Sequence, residues 1–169
     1  MNLFLDIETR ASEAEGHKQE LRLWLRLLTC STMIEREIRR RLRARFEITL
    51  PRFDLLAQLE KAPDGMTLGA LSQRMMVSNG NVTGLIKLLV DQGSVESFSD
   101  PADRRATYVR LTATGHRSFA KMAAVHGDWI AELVAGLDAA DMRRLMDGLG
   151  RLKRSVQAIS QELGSQEHE

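Results

Sequence analysis

A mainly α-helical fold with one small β-hairpin is predicted for this chain by three observations. Residues 19–45 contain neither Gly nor Pro and are rich in Leu and Arg, the composition of one long helix. Three shorter helical patterns follow, joined by connections of only a few residues. The apolar period then changes from helical to alternating at 95–98 and 107–111, and returns to helical for the rest of the chain.

Each element has its own local reason. Residues 1–17 are polar and mixed and read as an N-terminal arm. In the first long helix, Leu21, Trp24, Leu25 and Leu28 form one apolar stripe, and Leu27, Ile34, Ile38, Leu42 and Phe46 form another. A helix apolar on two sides needs two surfaces to bury against, and a second subunit is the simplest supplier of the second. Pro51 suits the first turn of the next helix, whose apolar positions are Phe53, Leu55, Leu56 and Leu59 and which Pro63-Asp64-Gly65 ends. Thr67 is an N-cap for a short helix containing Leu68, Leu71 and Met75. After Met76-Val77, Ser78 is placed to cap a further helix that runs to Gln92 and stops at Gly93. Short helices joined this closely fit a helix-turn-helix.

Val95–Phe98 and Thr107–Leu111 read as two strands, joined by a polar turn with Arg104 and Arg105 at its tip. Thr112 caps a long helix striped by Phe119, Met122, Ala123, His126, Trp129, Ile130, Leu133 and Leu137. Asp138 with Asp141 has the spacing of a capping box, opening a last helix striped by Met142, Leu145, Met146, Leu149, Leu152, Val156 and Ile159. That stripe is longer than one small core can cover and predicts a second contact between subunits.

Composition narrows the function. Of 169 residues, 24 are Lys or Arg and 23 are Asp or Glu, a net charge of +1, which argues against coating nucleic acid through bulk charge. The single cysteine, Cys30, excludes an intramolecular disulfide framework and a multi-cysteine zinc site. His17, His116, His126 and His168 lack metal-ligand spacing. No Gly-rich phosphate loop or nucleophile elbow is present, so neither an enzyme nor a cofactor is expected. The N-terminus lacks a basic n-region, and no apolar run approaches the roughly 20 residues that span a bilayer. A cytoplasmic protein without membrane contact is expected.

A helix-turn-helix followed by a hairpin with a basic tip is the order of a winged helix-turn-helix. The run Asp100-Pro-Ala-Asp103-Arg104-Arg105-Ala-Thr-Tyr-Val109-Arg-Leu111-Thr112-Ala-Thr-Gly115 resembles the wing and following helix cap of the MarR (multiple antibiotic resistance regulator) family. Val82-Thr83-Gly84-Leu85-Ile86 followed by Leu89 resembles that family's recognition helix, and the likeness extends from the first long helix to about Gln157. It implies a homodimeric transcription factor, most often a repressor, that binds a pseudo-palindromic double-stranded operator. The implied organisation is an arm at 1–17, a first dimerisation helix at 18–48, a winged lobe at 49–112, C-terminal dimerisation helices at 113–163 and a tail at 164–169. Ser94 stands where the family usually has Leu, and Ser97 where it often has a basic residue, which implies weaker affinity at that edge.

At about 100° per residue, Val82, Leu85, Ile86 and Leu89 fall on the inner face of the 78–92 helix, and Gly80, Gly84, Lys87 and Asp91 fall opposite. Gly84 in mid-helix costs about 1 kcal/mol relative to Ala. Two readings stand: close packing within the chain, or close approach of the backbone to base edges. Asn79 and Asn81 in the first turn suit bidentate pairing with adenine, with capping as the plainer role. Ser78, Thr83 and Lys87 suit base or phosphate contact, and Arg104 and Arg105 suit a minor groove, oriented by Asp103.

The run Arg39-Arg40-Arg41, with Arg43 and Arg45, is a separate basic cluster. It reads either as a solvated face paired with Glu35, Glu37 and Glu47, or as part of a site for an anionic effector. Proteins resembling this one include regulators that answer to aromatic acids or their acyl-coenzyme A thioesters. The resemblance implies such an effector, for which Arg22, Trp24, Arg26, Arg40, His126 and Trp129 are the candidates. Cys30 admits a thiol-based redox sensor, against which its apolar neighbours Leu27 and Ile34 predict a buried, inert thiol. The competing class is a helical dimer that uses its winged helix for protein contacts without DNA.

Overall fold

The computed structural model of the protein describes residues 17–99 and 107–166. The arm at 1–16, the wing tip with Asp103, Arg104 and Arg105, and residues 167–169 lie outside the described residues. The elements run α1 (Lys18–Phe46), α2 (Leu50–Glu60), β1 (Met66–Thr67), α3 (Leu68–Met75), α4 (Asn79–Asp91), β2 (Val95–Ser99), β3 (Thr107–Leu111), α5 (Ala113–Leu133) and α6 (Ala139–Gln166). The mainly helical prediction with a small sheet is met. The sheet has three antiparallel strands in the order β1-β3-β2, where the sequence predicts two. The extra strand, β1, pairs Met66 with Val109 and Thr67 with Tyr108, and two residues are too short to show a period.

The chain divides into two compact units, Met1–Asp128 and Trp129–Glu169. In the first, Leu42 of α1, Leu55 and Leu59 of α2, Leu71 of α3, Val82 and Leu89 of α4 and Val95 and Val109 of the sheet are fully buried. Phe53 and Phe119 pack ring to ring at 5.5 Å and tie α2 to α5. Only Leu25, Ile38 and Leu42 of α1 are buried, while Leu21, Leu23, Trp24, Met33 and Ile34 are exposed. In the second unit, α6 keeps its predicted stripe, but Leu145, Met146, Leu149, Val156 and Ile159 are all exposed.

The caps explain where the helices begin and end. Thr67 Oγ1 accepts from Ala70 N at 3.2 Å, and Thr112 Oγ1 accepts from Gly115 N at 3.0 Å, as predicted. Ser78 differs: it occupies the N-cap position of α4 with extended backbone, but its side chain makes no cap bond. Asp138 Oδ1 accepts from Ala140 N and Asp141 N at 2.7 Å each, while Asp141 pairs with Arg144 at 2.6 Å. Among the described residues no helix is long and apolar enough to cross a membrane.

Candidate nucleic-acid interface

Helix α4 is held from three sides. Its inner residues Val82, Ile86 and Leu89 are buried, and Leu85 is half-buried. Its end is fixed by a Schellman turn, in which Gly93 N donates to Val90 O at 2.8 Å and Ser94 N to Leu89 O at 3.0 Å. Gly93 sits at φ +69, where a side chain is strained.

The start of α5 then locks onto this turn. Thr112 Oγ1 donates to Gly93 O at 2.7 Å, and Thr112 N donates to Ser94 O at 3.1 Å. A Cβ on Gly115 would stand 2.0 Å from Ser94 O, so only glycine lets α5 approach the backbone this closely. The L-T-x-x-G run thus fixes the end of α4 against the strands β2 and β3. At the base of the wing, β2 pairs with β3 from Val95 opposite Leu111 to Ser99 opposite Thr107. Arg110 bonds Glu96 at 2.6 Å, and its guanidinium lies 4.8 Å from the centre of the Phe98 ring. Sequence reasoning passed over Arg110, although its place opposite Glu96 follows from the strand register.

The outer face of α4 carries the predicted side chains. Ser78, Asn79, Gly80, Asn81, Thr83, Gly84 and Lys87 are all exposed. A Cβ added to Gly80 or Gly84 would meet no other group within 4 Å, so packing within the chain does not account for either glycine. Thr83 Oγ1 donates to Asn79 O at 2.9 Å, which leaves its lone pairs outward. Gly80, Asn81, Gly84 and Leu85 line a shallow depression of about 420 Å³ with Pro51, Met75 and Val77. Met76 stands beside it at the left-handed end of α3, 93% exposed.

The effector candidates are dispersed. Arg22, Trp24 and Arg26 are exposed on the first half of α1, and Arg40 is exposed near its end. Arg40 bonds Glu37 at 2.7 Å and Arg41 bonds the same carboxylate at 2.6 Å, and these two guanidinium groups hold Glu37 down to about 2. His126 packs on the Phe53 ring at 4.8 Å, and burial lowers its pKa against the pull of Asp54. Burial raises the Asp54 carboxyl, with His126 and Arg39 opposing. Trp129 belongs to the second unit and is half-buried.

A cavity of about 410 Å³ lies elsewhere in the first unit, floored by Phe46, Ile48, Leu56, Leu89 and Met122 and rimmed by Arg52 and Lys121. Nothing in the sequence pattern pointed to it, since its lining comes from separate elements. Cys30 corrects an expectation: the thiol is exposed, because it lies on the side of α1 that also leaves Met33 and Ile34 open, and not with buried Leu25. Among the described residues no cluster of His, Cys, Asp and Glu is suited to a metal.

Comparison with known proteins agrees with this architecture. Residues 48–107 match the model of the MarR family. The chain is 29% identical over 150 residues to a transcriptional activatory protein, BadR, of Rhodopseudomonas palustris, covering 83% of this chain and 85% of that protein. A MarR family transcriptional regulator from Silicibacter pomeroyi superposes with a TM-score of 0.71 at 28% identity, covering 85% of this chain and 99% of that one. A mutant MarR from E. coli, complexed with operator DNA, shares the fold with a TM-score of 0.70 at 24% identity, over 82% of this chain and 99% of that one. These relatives are transcriptional regulators and not enzymes. Residues 48–107 thus match the MarR family's model, and the chain is similar over most of its length to transcriptional regulators.

Proposed function

We propose that the chain is a homodimeric, cytoplasmic, sequence-specific DNA-binding regulator whose α4 enters the major groove. The observation that carries this reading is the bare outer face of α4, where a Cβ added at Gly80 or Gly84 would meet nothing within 4 Å and Asn79, Asn81, Thr83 and Lys87 flank the two glycines. A helix without side chains along one line brings its backbone close to base edges and thymine methyl groups. Arg104 and Arg105 reach an adjacent minor groove, and the exposed apolar residues of α1 and α6 join two copies, so that the α4 helices meet half-sites about 34–36 Å apart. Repression is the sign that the family resemblance implies, whereas the R. palustris relative is named an activatory protein. A reporter fused to the gene's own upstream region reads the sign directly.

A gel shift on that upstream DNA tests the reading. Wild type is expected to bind, and Asn81→Ala and Arg104→Ala to bind more weakly; equal binding by all three overturns the assigned contacts. The apolar residues Pro51, Val77 and Leu85 around the same glycines favour a second reading, a protein partner. Salt separates the two, since DNA binding falls steeply as salt rises and an apolar interface does not.

The effector of this reading is a small aromatic acid or its acyl-coenzyme A thioester. The apolar floor and cationic rim of the Arg52–Lys121 cavity support it, as do the exposed Arg22, Trp24 and Arg26 on the first half of α1, with Arg40 exposed near its end. Calorimetry with benzoate and its thioester is expected to give binding that Arg52→Ala or Trp24→Ala weakens, and absence of heat in wild type rejects the effector. The thiol reading rests on exposed Cys30. With one cysteine in the chain, an oxidised Cys30 has no second thiol of its own chain to close a disulfide.

A further inference from the structure

The arginines at the end of α1 are a motif that the recognition helix does not absorb. From Glu35 to Glu47 the chain carries six Arg against three Glu, a charge of +3, whereas the whole chain sums to +1. Helical spacing sets Arg36, Arg40 and Arg43 opposite the buried Ile38 and Leu42. Arg39, Arg40 and Arg43 wall a hollow of about 270 Å³ whose other wall is Thr49 and Leu50, at the start of α2. The next residue, Pro51, is also a wall of the depression over Gly80, Asn81 and Gly84. The first turn of α2 therefore stands between the arginine hollow and the bare face of the recognition helix, within one compact unit.

The carboxylates nearby occupy only part of this charge. Glu35 pairs with Arg39, and Glu37 serves both Arg40 and Arg41. Arg43 is exposed and has no ion partner among the described residues. Exposed pairs of this kind are weak and exchangeable. A phosphate arriving at the hollow finds one free guanidinium and a second that gives up its carboxylate at little cost, and the planar fork of arginine suits phosphate oxygens.

We infer that this hollow is a phosphate clamp, in which Arg43 and Arg40 hold the DNA backbone beside the stretch that α4 reads. The inference rests on the DNA-binding reading above. The clamp sets position and affinity without reading sequence, as backbone contacts do. It also gives a chain of nearly zero net charge a local electrostatic hold on the duplex.

The test is fluorescence anisotropy of the full chain on an operator duplex and on an unrelated duplex, across a salt series. For Arg40→Ala/Arg43→Ala, the slope of log K against log salt is expected to shrink by about two, with binding to both duplexes weakened about five- to tenfold. Arg43→Lys, which keeps the charge, is expected to retain the wild-type slope. Asn81→Ala is expected to lose operator preference with its slope intact. If wild type binds and the double variant matches it in slope and affinity, the clamp is refuted and the DNA-binding reading stands. If wild type binds neither duplex, the DNA-binding reading itself fails.

Discussion

The winged lobe and the last helix are written in the same helical code and meet opposite fates. Val82, Ile86 and Leu89 of α4 stand at the same spacing as Leu145, Leu149 and Leu152 of α6. In the lobe that spacing closes a core, with Leu42, Leu55, Leu59, Leu71, Val82 and Leu89 removed from solvent. On α6 it leaves Leu145, Met146, Leu149, Val156 and Ile159 in the open. The lobe satisfies its apolar pattern within one chain, whereas α6 carries a pattern left open among the described residues, as the homodimer proposed above requires.

The sharpest way to break this contrast is at the junction that holds the lobe. Gly115→Ala forces a methyl to within 2.0 Å of Ser94 O. It is expected to destabilise the protein by about 3 kcal/mol or more, read by thermal or urea unfolding. Leu149→Glu on α6 acts on the other side of the comparison. It is expected to weaken self-association about tenfold or more by analytical ultracentrifugation, with the lobe's secondary structure intact by circular dichroism. A variant as tightly associated as wild type would remove α6 from the interface.

The smallest expected effect is electrostatic. Glu37 is held down to about 2 in the folded chain by Arg40 and Arg41, below its ordinary value of 4.5. A carboxyl whose folded pKa is depressed stabilises the fold above its unfolded pKa, and this contribution is lost as pH falls from about 4.5 toward about 2. Glu37→Gln is expected to be slightly less stable than wild type at pH 7 and to converge with it at the acid end of that window. A constant difference down to pH 2 would contradict the assignment.

What the sequence made legible divides along the same physical line. Caps and turns are local, so Thr67, Thr112 and Gly93 announced themselves, and period alone placed the wing strands. The outer face of α4 was readable because burying Val82, Ile86 and Leu89 forces Gly80 and Gly84 outward. Strand β1 was not, since its two residues gain their structure only by pairing with Val109 and Tyr108 of β3. Cys30 was misread as buried, because Leu27 and Ile34 show that a stripe is apolar and not what covers it. The 410 Å³ cavity draws on α1, α2, α4 and α5 at once, a juxtaposition that no single segment encodes.

On the function proposed above, the empty face of α4 is kept empty for a groove and not for the fold. Gly84→Leu separates these demands, since leucine is the better helix former by about 0.8 kcal/mol and its Cβ meets nothing within 4 Å. The measurement is operator affinity by anisotropy, taken beside the melting temperature of the same variant. The melting temperature is expected to hold or rise while operator affinity falls about a hundredfold. An unchanged affinity at an unchanged or higher melting temperature would contradict it.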